Sequence, residues 1–169
     1  MTADSTVIRR LQGRVECVVR REAPALLAYF ERRCPYEEAP DLLGETLLVA
    51  WRRADVLPDD DQEARMWLYG IARRVLGTSR RGRVRRQALM DRLRDQALTD
   101  GTHVPARDDD VHRALGALAP LDAEIIRLHH WDGFSLAEIA RHLGRPAGTI
   151  RSRYSRARAT LRLALDDAP

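Results

Sequence analysis

The segment from Ser135 to Leu161 constrains the fold most, because it holds start and stop signals for two consecutive helices. Ser135 is followed three residues later by Glu138, the spacing of a reciprocal N-terminal capping box. Gly144 takes a left-handed C-terminal position without steric cost, and Pro146 suits the start of a second helix. The sequence therefore predicts a helix, a tight turn and a second helix.

The second predicted helix has two chemically different sides. An apolar stripe at i, i+4, i+7 and i+11 predicts its buried face: Ile150, Tyr154, Ala157 and Leu161. The outward side, the first turn and the preceding turn carry candidate DNA-binding residues: Arg145, Thr149, Arg151, Ser152, Ser155 and Arg156. Arginine binds guanine edges bidentately, and hydroxyl groups bind phosphate or bases. An isolated basic helix is more often merely solvated, but the capped partner helix and the turn favour a helix-turn-helix that reads the major groove.

The charge of the chain agrees with a polyanionic partner. The formal net charge is +4, and all 29 Lys and Arg residues are arginine, so a single arginine is weak evidence for a site. No apolar run reaches the length of a membrane span, and the polar start of the chain lacks a signal core. These features predict a cytoplasmic protein without membrane insertion.

The sequence offers little chemistry for catalysis or metal binding. It contains no phosphate-binding glycine loop and no nucleophile elbow. Cys17 and Cys34 are far apart, and His129 and His130 point in different directions on a helix, which argues against a shared metal. The acidic run 59–61 is typical of solvated loop charge. We expect no active site, no cofactor and no metal.

The first half of the chain predicts a helical domain. Two packing helices are expected at 7–19 and 25–30, the second opened by Pro24. A further helix over 41–53 has a predicted core stripe of Leu43, Leu47 and Ala50, with Trp51 as a fourth candidate. Its other face holds Asp41, Glu45, Leu48 and Arg52, and a leucine among charges there suggests a partner surface.

A third helix begins near Ala64 and leads into a run of arginines. Its predicted apolar face is Trp67, Leu68, Ile71 and Val75. The arginines that follow repel one another unless phosphate neutralises them: Arg73, Arg74, Arg80, Arg81, Arg83, Arg85 and Arg86. Aromatic residues beside arginines also suit single-stranded nucleic acid. Trp67 is the better core candidate of the two aromatics, and Tyr69 fits core or base stacking about equally.

Periodicity is lost after the arginine run. Residues 91–110 collect Asp, Gly and Pro, which predicts a flexible linker between two helical domains at 1–90 and 111–169. The predicted fold class is all-α.

The order of these parts resembles the extracytoplasmic-function (ECF) sigma factors of the sigma-70 family, over nearly the whole chain. The resemblance is carried in the first domain by the helix 39–52 and by Trp67–Arg73, and in the second by 121–128, Phe134–Ala140, Leu143-Gly144 and Gly148–Arg158. In that family the first domain is region two and the second is region four.

The resemblance implies partners and site residues. Region two grips the β′ clamp helices of core RNA polymerase and melts the −10 element, whereas region four reads the −35 element and rests on the β flap. Asp41, Glu45, Leu48 and Arg52 then face the polymerase. The implied −10 residues are Arg65, Tyr69, Arg73, Arg74 and Arg80, and the −35 residues are the six DNA-binding candidates named above. Proteins of this family are commonly held inactive by an anti-sigma factor.

Two other classes remain as alternatives. A two-domain regulator with a helix-turn-helix like that of LuxR-type response regulators binds operators without polymerase, whereas a sigma factor binds promoters poorly until it joins core. An enzyme is the third class, and it has the least support in the sequence.

Overall fold

The structure, a computed structural model, describes the backbone of residues 2–94 and 110–166 and the side chains of residues 11–90 and 110–166. The described residues form α-helices and two short 3₁₀ helices, Tyr36–Glu38 and Ala54–Val56. The α-helices are α1 Thr2–Glu31, α2 Ala39–Arg52, α3 Asp61–Arg94, α4 Asp110–Ala117, α5 Pro120–His130, α6 Leu136–Leu143 and α7 Ala147–Asp166. The all-α prediction is confirmed. None of the described helices has the length and apolarity needed to cross a bilayer.

The chain divides into two compact units, Met1–Thr102 and His103–Pro169. In unit 1, helices α1, α2 and α3 pack on one another. Aromatic and aliphatic side chains fill the centre, with Tyr29 edge-to-face on both Phe30 and Tyr69. Burial of these large side chains supplies the main stabilisation of the unit.

Helix α1 differs from the prediction, because Pro24 lies inside one continuous helix and does not open a second one. Proline removes one backbone hydrogen bond and costs about 3 kcal/mol in a helix interior. The ring of Pro24 faces solvent, while Val18 before it and Leu26 after it are buried in the same core. Packing on both sides of the proline therefore outweighs the local cost.

The predicted core stripe of α2 is confirmed at Ala50, but the buried residues before it lie one position earlier than predicted. Leu42, Thr46 and Ala50 are buried, whereas Leu43 and Leu47 are half-buried and Trp51 is exposed. Thr46 is tolerated inside because its hydroxyl donates to the carbonyl of Leu42 at 2.8 Å. Adjacent leucines make either phase plausible in the sequence, and packing against α1 and α3 selects the observed one.

Helix α3 is longer than the predicted domain boundary allows, since it continues to Arg94. Helix α4 begins at Asp110, at the end of the predicted linker. The division between the units falls within the predicted linker range 91–110, and residues 95–109 lie outside the described part of the chain.

Unit 2 contains α4 to α7. A cluster of Leu115, Ile126 and Ala157 joins α4, α5 and α7, and Tyr154 and Leu161 pack against it. Phe134, between α5 and α6, is buried as well. The cluster holds α7 on α4 and α5.

Candidate nucleic-acid and protein interfaces

The predicted capping box at the start of α6 is present. The Ser135 hydroxyl accepts from the Glu138 backbone N–H at 3.3 Å, and the Glu138 carboxylate accepts from the Ser135 backbone N–H at 2.7 Å. At the other end, Gly144 has φ +62° and ψ +42°, the left-handed conformation. The Arg145 N–H donates back to the carbonyl of Ala140 at 2.9 Å, which closes the turn before α7.

The inner side of α7 holds the helix on the rest of unit 2. Ile150 and Ala157 are buried and Tyr154 and Leu161 are half-buried, so the predicted stripe is confirmed at its centre. Arg153 donates to the Asp122 carboxylate of α5 at 2.9 Å, with both side chains partly shielded from solvent. Arg153 is therefore an anchor of α7 that the sequence analysis missed.

The outer side of α7 presents one continuous polar surface. All six predicted −35 residues, Arg145, Thr149, Arg151, Ser152, Ser155 and Arg156, are exposed. Within residues 110–166, none of these side chains is engaged in a hydrogen bond or ion pair. Their donors are thus available to phosphates and base edges, which is the chemistry of major-groove recognition.

Two histidines join the end of α5 to α7. The His129 ring contacts the carbonyl of Phe134 at 2.7 Å, and the His130 Nε2 contacts the Tyr154 hydroxyl at 3.1 Å. Burial lowers the pKa of His130, and the nearby His129 and Arg158 lower it further. A neutral His130 ring can accept a hydrogen bond from the Tyr154 hydroxyl, so this contact links the end of α5 to α7.

In unit 1, the predicted polymerase-facing side of α2 lies at the surface. Asp41, Glu45, Leu48 and Arg52 are all exposed, with Leu48 59% exposed. Trp51 is 46% exposed three residues further along the helix. An exposed tryptophan beside an exposed leucine is typical of a protein-binding surface. Trp51 was a predicted core residue. Because α2 buries Leu42, Thr46 and Ala50 instead, Trp51 lies at this surface.

The predicted −10 residues of α3 separate into two groups. Arg73, Arg74 and Arg80 are exposed, and Arg80 also donates to the carbonyl of Arg33 at 3.0 Å. Tyr69 is 0% exposed, with its ring packed edge-to-face on Tyr29. The prediction of Tyr69 as a base-stacking residue is therefore wrong, because a fully buried ring has no face for a base.

Arg65 also serves the interior of unit 1 more than its surface. It pairs with Glu22 of α1 at 3.2 Å and lies over the Tyr69 ring at 5.2 Å. Glu22 in turn pairs with Arg21, which binds Asp61 at 2.8 Å. The predicted DNA contact by Arg65 competes with this network. Trp67, predicted to be in the core, is half-buried.

The acidic run before α3 is paired with α1 and is not simply solvated. Arg14 donates to the Asp59 carboxylate at 2.6 Å and to the carbonyl of Pro58 at 2.7 Å. Asp60 accepts from the backbone N–H of Glu63 at 2.9 Å, which caps the helix. Asp61 is the residue bound by Arg21, so two arginines of α1 offset the acidic charge.

In the described ranges, no three His, Cys, Asp or Glu residues are arranged to hold a metal ion. Cys17 is exposed and Cys34 half-buried, and neither forms a disulfide. Burial raises the pKa of the Cys34 thiol, whose Sγ contacts the carbonyl of Phe30 at 3.2 Å. A raised thiol pKa disfavours the reactive thiolate.

The two units match two family profiles. Sigma-70 region 2 matches residues 18–86, and Sigma-70, region 4 matches residues 108–161. The ECF RNA polymerase sigma factor SigL of Mycobacterium tuberculosis is 36% identical over 139 residues, which cover 77% of this chain and 76% of the relative. The chain belongs to the ECF RNA polymerase sigma factors, alternative sigma factors that direct transcription initiation.

Two solved structures have a similar fold. The sigma factor RpoE in complex with the anti-sigma factor NepR from Bartonella quintana has a TM-score of 0.64 at 26% identity, covering 95% of this chain and 99% of that chain. CnrH in complex with the cytosolic domain of CnrY has a TM-score of 0.65 at 26% identity, covering 98% and 99%. These matches favour the sigma factor over the operator-binding regulator.

Proposed function

We propose that this chain binds core RNA polymerase through the exposed face of α2 and reads the −35 promoter element through the outer face of α7. The supporting observation is the separation of roles on α7, where Ile150 and Ala157 fix the helix while Arg151 and Arg156 face solvent. A recognition helix needs this combination, because the reading side chains must be held in register by a rigid support.

We assign the polymerase-binding surface to Asp41, Glu45, Leu48 and Arg52, and we add Trp51 because it is exposed beside them. We place the β′ clamp helices on this surface and the β flap on unit 2. Charged side chains surround the exposed Leu48 and Trp51, and protein interfaces usually have an apolar centre with a polar edge of this kind. Because core polymerase works in the cytoplasm, we place this chain there as well.

The −10 element is assigned to Arg73, Arg74 and Arg80 of α3. Arg73 and Arg74 are adjacent and exposed, so together they present a basic edge to the promoter backbone. Arg65 and Tyr69 are omitted from this surface because of their contacts inside unit 1. Region two then corresponds to 1–90, the linker to 91–110 and region four to 111–169.

We assign no catalytic step and no cofactor to this chain, since it acts by positioning polymerase on DNA. An anti-sigma factor is the expected regulator. The two structural neighbours described above are complexes with an anti-sigma factor or with the cytosolic domain of a partner protein.

The test compares promoter binding by the chain alone, by core polymerase alone and by the two together, measured by fluorescence anisotropy of a labelled duplex. We expect tight, sequence-specific binding only when both are present. Equally tight specific binding by the chain alone would overturn the proposal and support an operator-binding regulator.

A further inference from the structure

Two arginines of α1 hold the acidic segment that precedes α3. Arg14 and Arg21 project from one face of α1, about 10 Å apart along its axis, because they are separated by almost two full turns. Nη1 of Arg14 donates to the Asp59 carboxylate at 2.6 Å, and Nη1 of Arg21 donates to the Asp61 carboxylate at 2.8 Å. Each arginine therefore has one terminal nitrogen on an aspartate.

A second nitrogen of each arginine is fixed by a different acceptor. Nη2 of Arg14 donates to the carbonyl oxygens of Pro58 at 2.7 Å and Asp59 at 3.1 Å. Nε of Arg21 donates to the carboxylate of the buried Glu22 at 3.2 Å. These contacts orient both guanidinium groups independently of the two aspartate carboxylates, so another anion can replace the carboxylates while the arginines stay in place.

The two aspartates are placed where such an exchange costs little. The side chain of Asp59 is fully exposed and that of Asp61 is 75% exposed. Ion pairs in water contribute little to stability. The acidic segment is also fixed by other residues, since Leu57 is buried in the core and Asp60 caps the start of α3. The fold therefore does not depend on the carboxylates of Asp59 and Asp61.

The acidic segment and this part of α1 carry opposite charge. Residues 55–63 contain five acidic residues and no basic one, whereas residues 9–22 contain five arginines and two glutamates. Arginine binds carboxylate and phosphate groups with the same planar fork of donors. In a protein that binds DNA, an exposed carboxylate on an oriented arginine therefore occupies a position that suits a phosphate.

The arginines of α1 lie close to the helix that carries the proposed −10 residues. Glu22 accepts from Nε of Arg21 and from Nε of Arg65 of α3, at 3.2 Å in each case, so the two arginines share one carboxylate. Arg65 precedes Arg73 by about 12 Å along the axis of α3. One DNA strand can therefore contact both α1 and α3.

We propose that Arg14 and Arg21 form a further nucleic-acid-binding site, which takes the phosphate backbone of promoter DNA, and that Asp59 and Asp61 occupy this site in the free chain. Phosphates replace the two aspartates on the Nη1 atoms, while the other nitrogens keep their present acceptors. The proposal deepens the proposed function and rests on it, since it adds a DNA contact to unit 1 of a sigma factor.

The first experiment measures DNA binding by the full chain without polymerase, by fluorescence anisotropy of a labelled single strand and a labelled duplex. Asp59→Asn/Asp61→Asn should bind DNA at least about tenfold more tightly than the unmodified chain, because it frees two phosphate contacts. Two contacts should steepen the salt dependence of log K by about 1.4 on the single strand or about 1.8 on the duplex. The DNA that shows the gain identifies the site as one for melted or for duplex promoter.

A matched variant controls for the change in net charge. Glu37→Gln/Asp55→Asn removes the same two negative charges at exposed residues of unit 1 that lie outside the proposed site. Its DNA affinity and salt dependence should stay close to those of the unmodified chain. Circular dichroism checks that both variants fold.

The arginines are tested in the chain that already carries Asp59→Asn/Asp61→Asn. Adding Arg14→Gln/Arg21→Gln should remove the gain in DNA affinity and the added salt dependence. Adding Arg20→Gln/Arg53→Gln, at two other exposed arginines of unit 1, should keep both.

Three results overturn the proposal. An equal gain in Glu37→Gln/Asp55→Asn would show that net charge alone governs DNA binding. Unchanged DNA binding by Asp59→Asn/Asp61→Asn would leave the ion pairs as contacts of the fold alone. A gain that persists after both α1 arginines are replaced would place the bound DNA elsewhere on the chain.

A separate readout keeps this inference distinct from the proposed function. If the unmodified chain drives no promoter-specific transcription with core polymerase, the proposed function fails, whereas the anisotropy comparison still decides whether Arg14 and Arg21 bind DNA. If transcription depends on the chain but neutralising the two aspartates gives no gain in DNA binding, only the site on α1 is removed.

Discussion

At the scale of single residues, the arginines of α7 divide into anchoring and reading groups. Arg153 is bound to Asp122, while Arg151 and Arg156 face outward without a partner among the described residues. Composition cannot separate these roles, because the chain contains arginine and no lysine. The distinction comes from the direction in which each side chain points around the helix. For the outward residues, the periodicity of the α7 sequence already predicted that direction.

Arg151→Ala or Arg156→Ala should weaken binding of the polymerase complex to promoters with an intact −35 element. A bidentate base contact is worth about 1–3 kcal/mol, so we expect a loss of about 5- to 150-fold. Anisotropy titrations with a −35 duplex and its mutated counterpart measure the effect. Arg20→Ala, an exposed arginine of α1, controls for net charge. Unchanged affinity in both α7 variants would remove the assignment of this face.

Trp51→Ala should reduce affinity for core polymerase without reducing stability. Tryptophans that become buried on binding are frequent hot spots and often contribute at least about 2 kcal/mol to the binding free energy. We therefore expect a loss of affinity of roughly 30-fold. Surface plasmon resonance with immobilised core measures binding, and thermal unfolding measures stability. Leu163→Ser is the matched control in unit 2. A lower unfolding temperature with unchanged affinity would show that Trp51 serves the fold and not the interface.

At the scale of elements, features set by neighbouring residues were predictable from the sequence, whereas features set by contacts between distant segments were not. The α6–α7 pair follows from Ser135, Glu138 and Gly144, whose effects act within one turn. The phase of α2 depends on contacts with α1 and α3, which the runs of leucine do not encode. Tyr69 was ambiguous for the same reason, because burial by Tyr29 requires two distant segments to meet.

The continuity of α1 through Pro24 gives a stability prediction. Pro24→Ala restores a backbone donor and should raise the free energy of unfolding by about 1–3 kcal/mol. Gly13→Ala, at an open position of the same helix, should contribute only about 0.5–1 kcal/mol and calibrates ordinary helix propensity. Urea unfolding of both variants makes the comparison. A Pro24→Ala variant less stable than the unmodified chain would contradict a continuous α1.

The link between α5 and α7 predicts a pH dependence of unit 2. The native pKa of His130 is lowered, so the unfolded chain binds more protons once the pH falls below the ordinary histidine value of about 6.5. Stability contributed by neutral His130 is present above that value and is lost as the pH falls. His130→Gln keeps an acceptor for Tyr154 and should reduce the fall in unfolding temperature between about pH 7.5 and pH 5.5. An identical fall in both proteins would exclude His130 as a source.

At the scale of the whole molecule, two helical units carry two different surfaces. Unit 1 exposes Leu48 and Trp51 beside charged residues, and unit 2 exposes the polar face of α7. The matches to Sigma-70 region 2 and Sigma-70, region 4 follow the same division. A protein that joins polymerase to a promoter needs both surfaces in one chain.

The most direct test of the central claim is transcription in vitro over fragmented genomic DNA, with core polymerase in the presence and absence of this chain, and with transcript starts mapped. We predict starts that occur only with the chain and share two upstream motifs at a fixed spacing. No new starts, together with specific duplexes shifted by the chain alone, would contradict the account.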